Sequence, residues 1–142
     1  MITYLDTSFL VSLYIADSNS VAAATTMHSS KGTHVISTLV ELETFNAVEL
    51  RVFRKEITPG EALQAARAFE KDVSDGVFGL RPLTEQCFER ARQISRQNTA
   101  ALGTRTADLL HVASALTIGV DYLYTFDRQQ RKLAHKVGLK LN

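Results

Sequence analysis

The feature that most constrains this chain is an alternation of short β-rich runs with stretches of helical periodicity. Apolar and β-branched runs of about four residues fall at 2–5, 33–36, 77–80, 122–125 and 139–141. Helical patterning covers 8–15, 20–29, 38–55, 58–75, 84–97, 106–118 and 127–137. Strands this short, joined by helices, make βα units that pair in parallel and need helical cover on both faces. The expected fold class is therefore α/β with a short-stranded, mainly parallel central sheet of about five strands. Two helices between about 38 and 72 follow one another without a strand, which predicts a helical hairpin projecting from the sheet. The stretch 98–105, which contains Gly103, reads as a loop.

Helix starts and stops support these boundaries. Ser37 or Thr38 suits an N-cap, and Thr58-Pro59 with Glu61 close behind marks another start. Gly119 and Gly138 stop the last two helices. The 142 residues amount to one domain, 1–142, with no repeat and no linker rich in Pro, Gly or Ser. A lone Cys87 excludes a disulfide framework and a cysteine-based zinc site. The start of the chain lacks the basic and apolar segments of a signal peptide, and no run is long enough for a membrane span. A cytoplasmic protein without a membrane partner is expected.

The chemistry lies in where four acids fall. Asp6 and Asp127 each sit where a strand ends and a helix begins. The carboxyl ends of parallel strands form the ligand crevice, so both side chains are expected there. Both also suit helix N-caps, and Asp127 with Gln130 matches a capping-box pattern. At about 100° per residue, Glu43 shares a helix face with Leu39, Leu42, Asn46, Leu50 and Phe53. A carboxylate on such an apolar face needs a partner or a metal. Since the opposite face is apolar too, one is expected to pack on the sheet and the other on a partner. Asp108 opens an Ala-rich helix, where the helix dipole also favours an acid.

Converging on one crevice, these four carboxylates would repel and raise one another's pKa unless cations neutralise them. Hard divalent cations with oxygen ligands do so, and Mg²⁺ keeps several waters beside one or two carboxylates. Such a site can polarise a phosphodiester and activate water. Three competing readings lack their residues. A haloacid-dehalogenase-type phosphatase needs a second acid where Ser8 stands. A receiver domain needs an acidic pair near the first strand and a late lysine. A nucleotide-binding loop needs glycines where Asp6-Thr-Ser-Phe is found.

In four segments the chain resembles the PIN domain family, and within it the toxin nucleases of VapBC toxin–antitoxin pairs. The segments are Tyr4-Leu-Asp6-Thr-Ser8, Ser37-Thr-Leu39 leading to Glu43, Thr106-Ala-Asp108-Leu-Leu-His-Val-Ala-Ser-Ala115, and Tyr124-Thr-Phe-Asp127-Arg; Gly138-Leu139 also fits. The resemblance implies a three-layer α/β/α fold and a metal-dependent endoribonuclease using Mg²⁺ or Mn²⁺. It places the catalytic and metal-binding acids on Asp6, Glu43, Asp108 and Asp127. Thr7 or Ser8 would position metal water or phosphate, and Thr125 would orient the last acid. It also implies a homodimer and a VapB-type antitoxin whose C-terminal segment covers the site. A PIN-like domain that binds RNA or protein without cleaving, or a non-toxin processing nuclease, is the alternative; loss of an acid would favour the former, and all four positions are filled.

Other residues give less. His111, one turn after Asp108, reads first as a partly buried helix histidine and second as a site contact. Arg105, Arg128 and Arg131 flank two of the acids, where they could hold RNA phosphates. The formal net charge of +1 does not exclude such a substrate. Residues 1–89 carry 7 basic and 12 acidic side chains, and residues 90–142 carry 9 and 3. A basic C-terminal part beside an acidic crevice is a workable footprint for RNA.

Overall fold

A computed structural model describes all residues, Met1–Asn142. The elements run β1 (Ile2–Leu5), α1 (Thr7–Tyr14), α2 (Ser20–Ser29), β2 (Thr33–Ser37), α3 (Thr38–Phe53), α4 (Pro59–Ser74) and β3 (Gly79–Arg81). They continue with α5 (Glu85–Leu102), α6 (Thr106–Ile118), β4 (Tyr122–Tyr124), α7 (Arg128–Lys136) and β5 (Lys140–Leu141). The five strands form one sheet in the order β3-β2-β1-β4-β5, and every pairing is parallel. The expected βα architecture is thus present. Helix α1 contacts α2, α3 and α4, while α5, α6 and α7 contact one another, giving a helical layer on each face of the sheet.

The order of strands matters for function. From β1 the chain builds outward through β2 to β3, then returns to place β4 on the other side of β1. The topological switch point therefore lies between the carboxyl ends of β1 and β4, where a parallel sheet opens its ligand crevice. Asp6 follows β1 and Asp127 closely follows β4, so the topology itself brings them together.

Burial explains why these short strands hold. Tyr4, Leu5, Val35, Ile36 and Leu123 are fully buried between the layers, with Phe9, Leu10, Val112 and Leu133 packing on them from the helices. A second cluster of Val11, Ile15, Val48, Ala62 and Ala65 ties the α3–α4 hairpin to α1. The hairpin therefore does not stand free: Phe69 of α4 reaches the main core, within 5.4 Å of Tyr14 and 5.2 Å of Phe45 between ring centroids. Thr58 and Glu61 close the capping box that starts α4.

Two local expectations change. The stretch 98–102 is the last turn of α5, not loop. Asn98, a poor helix former by propensity, is buried and donates its side-chain N–H to the Ile94 carbonyl at 2.9 Å. The helix ends instead at Gly103, whose φ of 64° is the left-handed conformation that favours glycine. The other change concerns α3. Its buried residues are Val40, Thr44 and Val48, while Leu42 and Phe53 are 67% and 83% exposed. The face assigned to Glu43 from apolar residues is thus not the sheet-packing face.

Candidate active site

The switch point opens into a crevice of about 630 Å³ whose lining includes all four acids, Asp6, Glu43, Asp108 and Asp127. Its other walls come from α1 (Thr7, Ser8, Val11 and Ser12) and from α3. On α3 the lining residues are Glu43, Ala47, Leu50, Arg51 and Arg54, a stripe at i, i+4, i+7, i+8 and i+11. Glu43 stands at the border between the buried and exposed faces, which lets it reach the crevice without being buried on the sheet.

Asp6 is the best-anchored acid. Only 2% exposed, it caps α1 by accepting the Phe9 N–H at 2.9 Å. It also accepts from the Ser8 hydroxyl at 2.8 Å, the Gln130 amide at 2.8 Å and the Thr125 hydroxyl. Burial pushes its pKa up, while His111 and these donors oppose the rise. The same carboxylate caps α1 and lines the crevice.

Two hydroxyls fix the loop after β4, one from α1 and one from the loop itself. The Ser8 hydroxyl accepts the Phe126 N–H at 3.0 Å, and the Thr125 hydroxyl accepts the Asp127 N–H at 3.0 Å. Asp127 accepts the Gln130 N–H at 3.0 Å and so caps α7. The Gln130 side chain does not close a capping box; it turns inward, 1% exposed, to Asp6. Gln130 is therefore a site-building residue that the capping pattern concealed.

Glu43 is held from two sides. It accepts the Thr7 hydroxyl at 2.9 Å, and the Nε2 of His111 lies 2.6 Å from the same oxygen. On its other side His111 Nδ1 meets the Tyr4 hydroxyl at 3.0 Å, which in turn meets Ser37 at 2.7 Å. Nε2, facing the Glu43 carboxylate, carries a proton and donates to it. Burial raises the Glu43 pKa, but hydrogen bonding and charge from His111, with help from Thr7, bring it below the usual range. His111, 4% exposed, is a buried helix histidine whose ring links Tyr4 to Glu43.

Asp108, 4% exposed, and Asp127 face each other across Arg105. The guanidinium donates to Asp108 from Nε at 3.1 Å and to Asp127 from Nη2 at 2.9 Å. Of the other arginines, Arg131 donates to the Thr125 carbonyl at 3.0 Å and to the Asn142 carbonyl at 3.0 Å, outside the crevice lining. Arg128 is exposed and also outside it. At the far end, Arg51 pairs with Asp17 at 3.3 Å, whereas Arg54 has no carboxylate partner.

No three His, Cys, Asp or Glu side chains are close enough to form a ready-made metal cage. The donor set still fits a hard divalent cation, because Mg²⁺ needs only one or two carboxylates beside its waters. The carboxylate and hydroxyl oxygens of Asp6, Asp108, Asp127, Glu43 and Ser8 are the donor type it takes. Arg105 lies between Asp108 and Asp127, so a cationic side chain sits beside both acids.

The fold recurs in solved structures. A Mycobacterium tuberculosis toxin, VapC20, described as cleaving the sarcin-ricin loop, is similar with a TM-score of 0.75 at 20% identity, over 96% of this chain and 95% of that one. VapBC2 from Rickettsia felis, bound to a promoter DNA fragment, gives 0.69 at 17% identity, over 100% and 98%. FitAcB from Neisseria gonorrhoeae gives 0.69 at 17%, over 99% and 96%. No curated protein sequence matches the chain. The PIN domain family model matches residues 3–136. With nearly the whole chain matched and the four acids gathered at the switch point of the sheet, this protein belongs to the PIN domain family.

Proposed function

We propose that the protein is a divalent-metal-dependent endoribonuclease, the toxin of a toxin–antitoxin pair. The observation that carries this reading is the gathering of Asp6, Glu43, Asp108 and Asp127 in one crevice of a PIN domain. Similarity in fold to VapC20, described as a toxin that cleaves the sarcin-ricin loop, and to VapBC assemblies supports RNA as substrate and a VapB-type antitoxin as partner. A homodimer in the cytoplasm completes the proposal; no helix is long and apolar enough to cross a membrane.

In this mechanism Asp6, Asp108, Asp127 and Glu43 would hold Mg²⁺ or Mn²⁺, which supplies Lewis-acid polarisation of the phosphodiester and a water of lowered pKa. Asp6 is oriented by Thr125, Ser8 and Gln130, so its carboxylate is fixed before substrate arrives. Glu43, oriented by His111 and Thr7, stays ionised and can accept a hydrogen bond from water at the reacting phosphorus. Arg105 is the arginine beside the acids that can face the charge on the cleaved phosphate.

RNA extends beyond one phosphate, and the crevice extends with it to Arg54. Arg54→Ala should weaken binding of single-stranded RNA by roughly threefold to tenfold and lower the slope of log affinity against log salt by about 0.7. A salt titration of binding by fluorescence anisotropy checks this; an unchanged slope counts against Arg54 as a phosphate contact. For the toxin role the test is inducible expression of the wild type without antitoxin, with sequencing of RNA ends. Growth arrest with cuts at a discrete set of RNA positions is expected. Normal growth and intact RNA from soluble protein would contradict it.

A further inference from the structure

Arg105 occupies an unusual place for an exposed arginine. It is the residue before α6, its side chain is 65% exposed, and yet its guanidinium is spent on two acids from different parts of the chain. Nε donates to Asp108 Oδ2 at 3.1 Å, Nη2 approaches Asp108 Oδ1 at 3.5 Å, and Nη2 donates to Asp127 Oδ2 at 2.9 Å. The fork thus spans both carboxylates, and the Asp108 side of it is bidentate. These oxygens are the same ones a divalent cation at this crevice would need. Metal and guanidinium cannot both have them.

We propose that Arg105 is a displaceable internal cation: it neutralises Asp108 and Asp127 when no metal is bound, and must swing out for metal to enter. This rests on the reading of those carboxylates as metal ligands. The position favours a latch over a permanent strut. The guanidinium is mostly exposed and is hydrated once released, while the buried Asp108 carboxylate it leaves would be neutralised by the incoming metal. Its backbone anchors the start of α6, where the Arg105 carbonyl accepts the Leu109 N–H at 3.1 Å, so the side chain can move without unravelling the helix. Once released, the guanidinium stays at the mouth of the crevice, where a phosphodiester is the available anion. Metal and RNA binding should then reinforce each other, since each holds Arg105 away from the acids or replaces it there.

The test is Mn²⁺ binding to the purified full chain without RNA, by calorimetry and by the loss of free Mn²⁺ signal in electron paramagnetic resonance. Arg105→Met removes the fork and keeps an unbranched stem about as long as the aliphatic part of arginine. It should bind Mn²⁺ about tenfold more tightly than the wild type, the scale expected from losing two part-exposed ion pairs. Arg105→Lys, a single point charge that cannot span both acids, should fall between them. Arg54→Met removes a crevice cation that touches neither acid and should change Mn²⁺ affinity by less than about twofold. Equal affinities for the wild type and Arg105→Met would overturn the latch while leaving the metal site standing. Equal tightening by Arg54→Met would also overturn it, by showing a general effect of net charge. Absence of Mn²⁺ binding in both the wild type and Arg105→Met would overturn the metal reading and the latch together.

Discussion

Asp108→Asn should lower RNA cleavage by roughly a hundredfold or more while leaving the melting temperature within a few degrees of the wild type. The substitution keeps shape and removes charge. Asp108 lies at the start of α6, and its only side-chain partner is Arg105, itself largely exposed. Its carboxylate thus carries little of the fold but half of the bridge that faces the crevice. Asp6→Asn should abolish cleavage equally, with a larger cost in stability. Asp6 accepts four hydrogen bonds, and an amide nitrogen cannot accept those it replaces. Comparing the two variants separates lost chemistry from lost folding. Retained structure by circular dichroism with lost cleavage is the expected outcome for Asp108→Asn. Full activity in that variant would remove Asp108 from the mechanism.

The second large effect is on stability. Phe9 is fully buried one residue after the Ser8 hydroxyl that holds the β4–α7 loop. Its ring stacks on Phe126 at 5.2 Å and packs on Tyr124 at 5.3 Å between centroids. Phe9→Ala should cost about 3–5 kcal/mol through lost burial and the cavity left behind. The melting temperature should fall by roughly 10 °C or more for a chain of this length. Phe9→Leu, which refills much of the space, should cost less than half as much. The loss reaches function as well. Asp6, Ser8, Thr125 and Asp127 keep their mutual geometry because α1 and the 125–127 segment share this aromatic contact. A Phe9→Ala protein that melts within two or three degrees of the wild type would show that the packing does not hold the two halves of the site together.

The parts of this site that were legible in the sequence follow from local rules. Asp6 and Asp127 could be placed because strand ends and helix starts leave local marks, and the parallel sheet supplies the crevice. Each caps a helix and lines the crevice at once, so capping does not exclude the proposed role. The apolar neighbours of Glu43 in the helical pattern form a largely exposed face, and the lining stripe is Glu43, Ala47, Leu50, Arg51 and Arg54. Apolar content misled there because α3 presents apolar residues on several faces. Asn98 and the turn after it look like loop by propensity, yet a buried side-chain bond to Ile94 and a left-handed Gly103 extend the helix.

What remained hidden depends on distant contacts. His111 meets Tyr4, 107 positions away, and Gln130 meets Asp6, 124 positions away. No periodicity encodes either. Arg131 shows the converse: it follows Asp127 closely in sequence, yet its guanidinium turns to Thr125 and Asn142. Nothing in the sequence marks Arg54, because the unpaired state of a cation is visible only once every carboxylate around it is placed. Charge counts separate an acidic first part from a basic last third, yet two of the three arginines in the crevice lining, Arg51 and Arg54, come from the acidic part.

The most direct test of the central claim is cleavage of RNA by the purified protein after chelation, with Mg²⁺ or Mn²⁺ then restored, for the wild type beside Asp6→Asn and Asp108→Asn. The account predicts cleavage by the wild type only when the cation is present, and none above background from either variant. Undiminished cleavage under chelation, or by either variant with metal restored, would contradict it.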